Sequence, residues 1–183
     1  MRLIDTPGDS SPALIWSASD LTSAAECEFA WLRNIDARLD RCERVADPED
    51  AMLARAGALG DAHEQRMLER YRREFPGAVR EVPRAPSSDA EALAAAVALT
   101  HEALHDPEAR VVYQAAFSTP EFVGFADFLF RDAPGLPWVV QDTKLARRAK
   151  VTALMQLGAY VDQLDRLGVP RANRVELLLG DGT

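Results

Sequence analysis

Two strand-like runs of this sequence each carry a carboxylate where an apolar residue would be expected. In Phe122-Val-Gly-Phe-Ala-Asp-Phe-Leu-Phe130, alternation places Val123, Phe125, Asp127 and Leu129 on one face, and Phe122, Gly124, Ala126, Phe128 and Phe130 on the other. Both faces are apolar, so the strand reads as buried, with Asp127 its single charge. Burying a lone carboxylate costs several kcal/mol, so Asp127 must be protonated, paired or bound to a metal. The run Trp138-Val-Val-Gln-Asp-Thr-Lys-Leu145 repeats the anomaly: Trp138, Val140, Asp142 and Lys144 share a face, with the charges at its exit end. Carboxylates on adjacent strands can meet across the ladder at roughly 5 Å, close enough to share one cation. Mg²⁺ is held by such hard oxygens. Lys144, two residues beyond Asp142, can steady a water beside the ion, which is the chemistry of metal-assisted phosphodiester hydrolysis. The same residues also suit a plain structural set, Asp142 with Lys144 and Asp127 with an arginine. A lone D-x-K arises by chance about once in a chain of this size.

Such groups need a sheet with helices packed on it, and the rest of the sequence supplies both. Residues 1–15 read as a loose leader rich in Asp, Ser, Pro and Gly. Ser17-Ala-Ser-Asp20 is a capping-box pattern and predicts a helix to about Asn34. Asp47-Pro-Glu-Asp50 opens a longer helix, capped by Asp47, running to about Phe75. A short extended piece, Val79 to Val82, follows. Ser88 with Glu91 predicts a helix to about His105. Three β-type runs come next, Val111–Phe117, Phe122–Phe130 and Trp138–Leu145, separated by turns bearing Pro or Gly. A helix from about Val151 to Leu167 and a strand from Val175 to Leu179 complete the pattern. The order is helices, three-stranded meander, helix, strand: an α/β sandwich in a single domain spanning 16–183.

Two further constellations sit on these helices. His63 falls on an apolar stripe of Met52, Ala56, Leu59, Met67 and Tyr71, with Gly60 one turn earlier thinning the helix. A histidine there is an ordinary core residue or, as a neutral imidazole, a ligand for Mn²⁺ and similar ions. On the last helix Leu154, Leu157, Val161 and Leu164 form the expected buried stripe. Gln156 and Tyr160 flank it as an i, i+4 pair able to reach nucleic acid at the mouth of a site.

Composition sets outer limits. With 183 residues, 48% of them hydrophobic, the chain is an ordinary globular domain. It has no apolar run of membrane-spanning length and no signal-peptide start. Its only two cysteines, Cys27 and Cys42, give no disulfide framework, which fits a reduced, cytoplasmic setting. The net charge of −8 looks wrong for a phosphate binder, yet Gln141–Arg174 holds seven cations against three anions. Lys144, Arg147, Arg148 and Lys150 cluster just after the D-x-K, as a phosphate path or a solvated loop.

Taken together, the G-x-x-H, G-F-A-D, Q-D-T-K and Q-x-x-x-Y motifs, in that order, resemble the RecB-type exonucleases of the PD-(D/E)XK superfamily, including CRISPR-associated and helicase-fused members. The resemblance covers roughly residues 16–180 and implies a restriction-endonuclease-like core with added N-terminal helices. It implies a Mg²⁺- or Mn²⁺-dependent deoxyribonuclease of repair, recombination or defence, acting on single strands or ends. It implies that His63, Asp127, Asp142 and Thr143 hold the metal and that Asp127, Asp142 and Lys144 carry catalysis. Gln156 and Tyr160, with Arg147, Arg148 and Lys150, would contact DNA. Ala126 stands where the superfamily has its proline, and Asp142 replaces the more frequent glutamate. Cys27 matches the first ligand of iron–sulfur members, whose other three cysteines follow the last core strand. The expectation is therefore a fragment of a longer RecB-like or helicase-fused protein. The alternatives are a buried core thiol at Cys27 and, for the whole domain, a catalytically silent module that binds DNA or a protein.

Overall fold

The computed structural model describes residues 2–4, 13–45, 50–86, 89–146 and 148–180, with side chains from residue 14 onward. Among these residues the chain is α/β, with five helices and a mixed five-stranded sheet. The elements are β1 (Arg2–Ile4), β2 (Ala13–Ile15), α1 (Ala18–Glu26), α2 (Glu28–Arg38), α3 (Ala51–Glu74), β3 (Val79–Glu81), α4 (Ala90–His105), β4 (Val111–Ser118), β5 (Val123–Phe130), β6 (Trp138–Lys144), α5 (Val151–Arg166) and β7 (Arg171–Leu179).

Sheet order is β3-β4-β5-β6-β7. The central β4, β5 and β6 form the expected antiparallel meander, while β3 and β7 lie parallel to their neighbours at the edges. Parallel pairing requires a crossover, and α4 and α5 supply the two. One core cluster joins Val112, Leu129 and Val140 of the sheet to Leu93 and Leu104 of α4 and Leu157 and Leu164 of α5. The other joins Val111 and Phe128 to Met67, Leu68 and Tyr71 of α3. Helices thus cover both faces of the sheet, which is why β4 to β6 read as nearly continuous apolar runs.

Several boundaries differ from expectation for physical reasons. The first helix is two: Cys27 adopts extended backbone (φ −157°, ψ 98°), ending α1 and capping α2, which continues to Arg38. The capping box itself forms, with Asp20 Oδ2 accepting from the backbone N and Oγ of Ser17 at 2.8 and 2.6 Å. Part of the leader is strand, since β1 pairs antiparallel with β2. Asp50 caps α3, accepting from the backbone N–H groups of Met52 and Leu53; Asp47 lies outside the described residues. Asp89 caps α4 through Ala92 N–H, and Ser88 also lies outside them. On α3 the apolar stripe is covered only in its C-terminal half: Met52 is 79% exposed and Leu59 52%, whereas Met67, Leu68 and Tyr71 are buried. On α5 the stripe is Ala153, Leu157, Tyr160 and Leu164; Leu154 is exposed.

Close approach of helix to sheet occurs at Gly124, not at Gly60. A Cβ on Gly124 would lie 3.0 Å from both Phe122 Cζ and Tyr160 Cε1, while one on Gly60 meets nothing within 4 Å. We predict that Gly124→Ala destabilises the fold by about 1–3 kcal/mol through overpacking. Gly60→Ala, by contrast, should be neutral or stabilise by up to about 1 kcal/mol through helix propensity. Urea unfolding distinguishes them, and equal stability of Gly124→Ala and parent refutes the packing account.

Candidate functional site

The β5–β6 ladder pairs Phe130 with Val139, Leu129 with Val140 and Phe128 with Gln141, and there it stops. One step further would set Asp127 opposite Asp142. The strands part instead, and a side chain takes over from the backbone: Asp127 Oδ2 accepts from both the backbone N and Oγ1 of Thr143, each at 2.8 Å. On its other side β5 pairs with β4 except at one place, where Gln114 would face Asp127. Gln114 has φ 56°, a left-handed conformation costly for a residue with a Cβ. Its amide Nε2 donates to Glu64 Oε1 of α3.

Asp142 is 3% exposed. The Lys144 ammonium lies 2.5 Å from its Oδ2 and forms an ion pair with it. Burial pushes the Asp142 carboxyl up, and the adjoining Asp127 carboxylate adds to the shift, against the pull of Lys144. Glu64 is raised for the same two reasons, burial first and Asp127 second, with Tyr113, Gln114 and Arg84 opposing. Burial also raises the Tyr160 hydroxyl, which donates to the Phe125 carbonyl at 2.7 Å.

A cleft of about 450 Å³ opens where the strands part, and Asp127, Asp142, Thr143, Lys144, Gln156 and Tyr160 all line it. Glu64 and Asp61 of α3 form one wall, Arg84 another, and Ser17 and Ser19 at the start of α1 a third. The start of α1 is held there because Trp16 bridges to Phe122 and accepts from Val123 N–H at 2.7 Å. A smaller cavity of about 240 Å³ adjoins the cleft, sharing Lys144 and Gln156 with it and adding Arg148 and Lys150. Neither of those two cations is ion-paired among the described residues, whereas Arg166, Arg171 and Arg174 are taken up by Asp162, Asp165, and Asp132 with Glu176. Arg147 lies outside the described residues.

Three expectations are not met by this geometry. His63 is buried but is not among the residues lining the cleft: its Nε2 sits 3.0 Å from the Leu178 carbonyl, which can only accept, so Nε2 carries the proton. Tyr160 is 5% exposed and forms part of the cleft wall, not a ring projecting toward a ligand. Cys27 is exposed, not a core thiol. Of the plain structural set, the Asp142–Lys144 pair is present, but among the described residues no arginine pairs with Asp127; Arg131 instead lies over Trp138 and donates to the Ala109 and Asp106 carbonyls. Sequence reasoning missed Glu64, Arg84 and Gln114. Gln114 had a signal, as the one polar residue inside Val111–Phe117; Arg84, on a loop, had none. No family model matches the chain, nor does any curated protein or solved structure.

The raised Asp142 carboxyl links stability to pH. The folded state binds its proton more tightly than the unfolded chain, whose pKa is near the ordinary 3.8, so metal-free stability is highest in acid and falls as pH rises from about 4 to about 7. Asp142→Asn should remove most of that fall and raise the Tm at pH 8 by about 2–4 °C, the effect of 1 kcal/mol in a chain of this size. Thermal melts at pH 5 and pH 8 measure this. Parallel pH profiles for the two proteins would show that Asp142 carries no such strain.

Proposed function

We propose that this chain is a metal-dependent nuclease domain of the RecB-type PD-(D/E)XK kind, built on a restriction-endonuclease-like core and hydrolysing phosphodiester bonds in DNA. The observation that carries the reading is the pair of adjoining carboxyls at the parting of β5 and β6, one of them buried and paired with a lysine at the cleft. A buried acid set against a half-buried one, with a single lysine and no arginine between them, is a poor structural device and a good cation trap.

The donor set fits Mg²⁺ or Mn²⁺, which prefer carboxylate and carbonyl oxygens. Asp127 and Asp142 would hold the ion, with the Thr143 carbonyl as a further donor on the same strand. Such an ion polarises a phosphate and acidifies water. The chain's own groups do the rest. Lys144, anchored by Asp142, presents its ammonium to a water or phosphate oxygen at the cleft. The Thr143 N–H and hydroxyl fix Asp127 in one orientation. Gln156 stands at the junction of the two cavities, where a strand leaving the cleft meets Arg148 and Lys150. A second reading, binding without cleavage, is favoured by the placement of His63 away from the cleft.

Cleavage of labelled single- and double-stranded DNA with Mg²⁺ or Mn²⁺ decides between them. Asp127→Ala, Asp142→Ala and Lys144→Ala should each lower the rate by about 10²–10³-fold with the fold intact. Cleavage by Asp142→Ala at the parental rate sinks the nuclease reading, and binding without cleavage by the parent establishes the second. Replacing Arg148 and Lys150 by alanine should flatten the salt dependence of single-strand affinity, by about 0.7 in log–log slope per cation. An unchanged slope places the DNA path elsewhere.

A further inference from the structure

The cavity beside the cleft differs from it in chemistry. Charged and polar groups dominate the cleft, whereas the adjoining cavity of about 240 Å³ is walled by Leu145, Ala149, Ala153, Leu177 and Leu179. Four segments build it. Ala153 is buried at the start of α5, and α1 meets that end of the helix where Thr22 Oγ1 lies 3.5 Å from the Thr152 carbonyl. β7 supplies Leu177 and Leu179. The loop after β6 is seated on the next residue of the chain: a Cβ on Gly180 would lie 2.7 Å from the Leu145 carbonyl oxygen. The polar groups of the cavity are few. Lys144, Arg148 and Lys150 are its cations, and Glu26 of α1 is its one carboxylate. Among the described residues Glu26, Arg148 and Lys150 have no ion pair, and the Gln156 amide has no hydrogen-bond partner.

Walls and carboxylate together decide what fits. A phosphate gains nothing from apolar walls, is costly to desolvate there, and would be repelled by Glu26. A nucleobase matches, with two apolar faces and an edge of hydrogen-bonding groups. The volume is below the roughly 300–1,000 Å³ of sites for drug-sized ligands, which suits one ring system with its sugar and phosphate left outside. Those phosphates then fall to the exposed Arg148 and Lys150. A carboxylate accepts from an exocyclic amino group such as N4 of cytosine, where thymine presents the acceptor O4 instead. We propose that this cavity is a base-binding subsite of the DNA path, holding one unpaired nucleobase that carries an exocyclic amino group. Glu26 is its acceptor, and Gln156 stands at the mouth shared with the cleft. This rests on the nuclease reading, which brings the strand to the cavity from the cleft.

Fluorescence anisotropy of labelled oligo-dC and oligo-dT with the full chain in EDTA tests this without relying on turnover. The parent should bind oligo-dC at least about fivefold more tightly than oligo-dT, the lower end for one base-edge contact. Glu26→Ala should weaken oligo-dC binding by the same factor and leave that of oligo-dT unchanged. The sign is diagnostic, because removing an anion from a surface that only attracts phosphates would tighten binding to both strands. Glu26→Gln, whose amide oxygen still accepts, should keep part of the preference. Ala149→Phe, which fills the cavity from an exposed position, should abolish it. Thermal melts confirm that each variant is folded. Equal affinity of the parent for the two strands, or tighter binding of both by Glu26→Ala, overturns the subsite. If the parent still cleaves DNA with Mg²⁺ or Mn²⁺ in that case, the nuclease reading stands and this inference alone falls. A parent that neither binds nor cleaves DNA ends both.

Discussion

Everything at this site depends on one carboxylate oxygen standing in for a missing backbone bond. Where β5 and β6 separate, the Thr143 N–H would be left without a ladder partner, and buried donors are seldom left so. Asp127 Oδ2 satisfies it and the Thr143 hydroxyl together. That contact sets the gap between the strands, and the gap sets the cleft. It also fixes Asp127 from one side, so the carboxyl of Asp142 must lie against it rather than apart. Lys144 and Glu64 gather around a geometry already decided.

Such an arrangement holds two carboxyls together, one of them buried, which works against stability and would favour cation capture. The rest of the molecule supplies the surplus. Phe128, Leu129, Val139 and Val140 are fully buried immediately beside the acids, under Leu68 on one face and Leu157 on the other. Tyr160 links this packing to the site, since its ring rests on Gly124 and its hydroxyl closes on Phe125. At the opposite end of the sheet Arg131 and Trp138 make a well-satisfied cation–aromatic pair. The sheet is fully laddered at that end and opened where the acids are.

The meander and α5 were legible in the sequence because their apolar patterns are long and their turns carry Pro or Gly. The two acids were legible for a related reason, as charges inside otherwise apolar runs. What could not be read depended on coverage. The stripe on α3 pointed to His63, but the sheet covers only the second half of that helix, so the stripe's N-terminal members say nothing about which face meets the site. Cys27 interrupts the first helix with neither Gly nor Pro to announce it. Gln114 is marked by its polarity within an apolar run, but its left-handed φ leaves no compositional trace. The short β1–β2 pair lies in a segment whose Asp, Ser, Pro and Gly content speaks against strand. Arg84 arrives by a loop, and loops carry no periodicity to follow.

The uneven burial of α3 has a consequence for how the molecule moves. Its last turns are pinned by Met67, Leu68 and Tyr71, while the turns from Ala51 to Leu59 touch little besides solvent. Opening free energies along a helix follow the contacts it must break, so amide hydrogen exchange should slow steadily from Ala54 to Tyr71. Glu64 and Asp61 sit on that gradient, between the frayed end and the anchored one. One wall of the cleft therefore stands where the burial of α3 begins, at His63, while the floor is the fully buried centre of the sheet, so exchange should report the two separately.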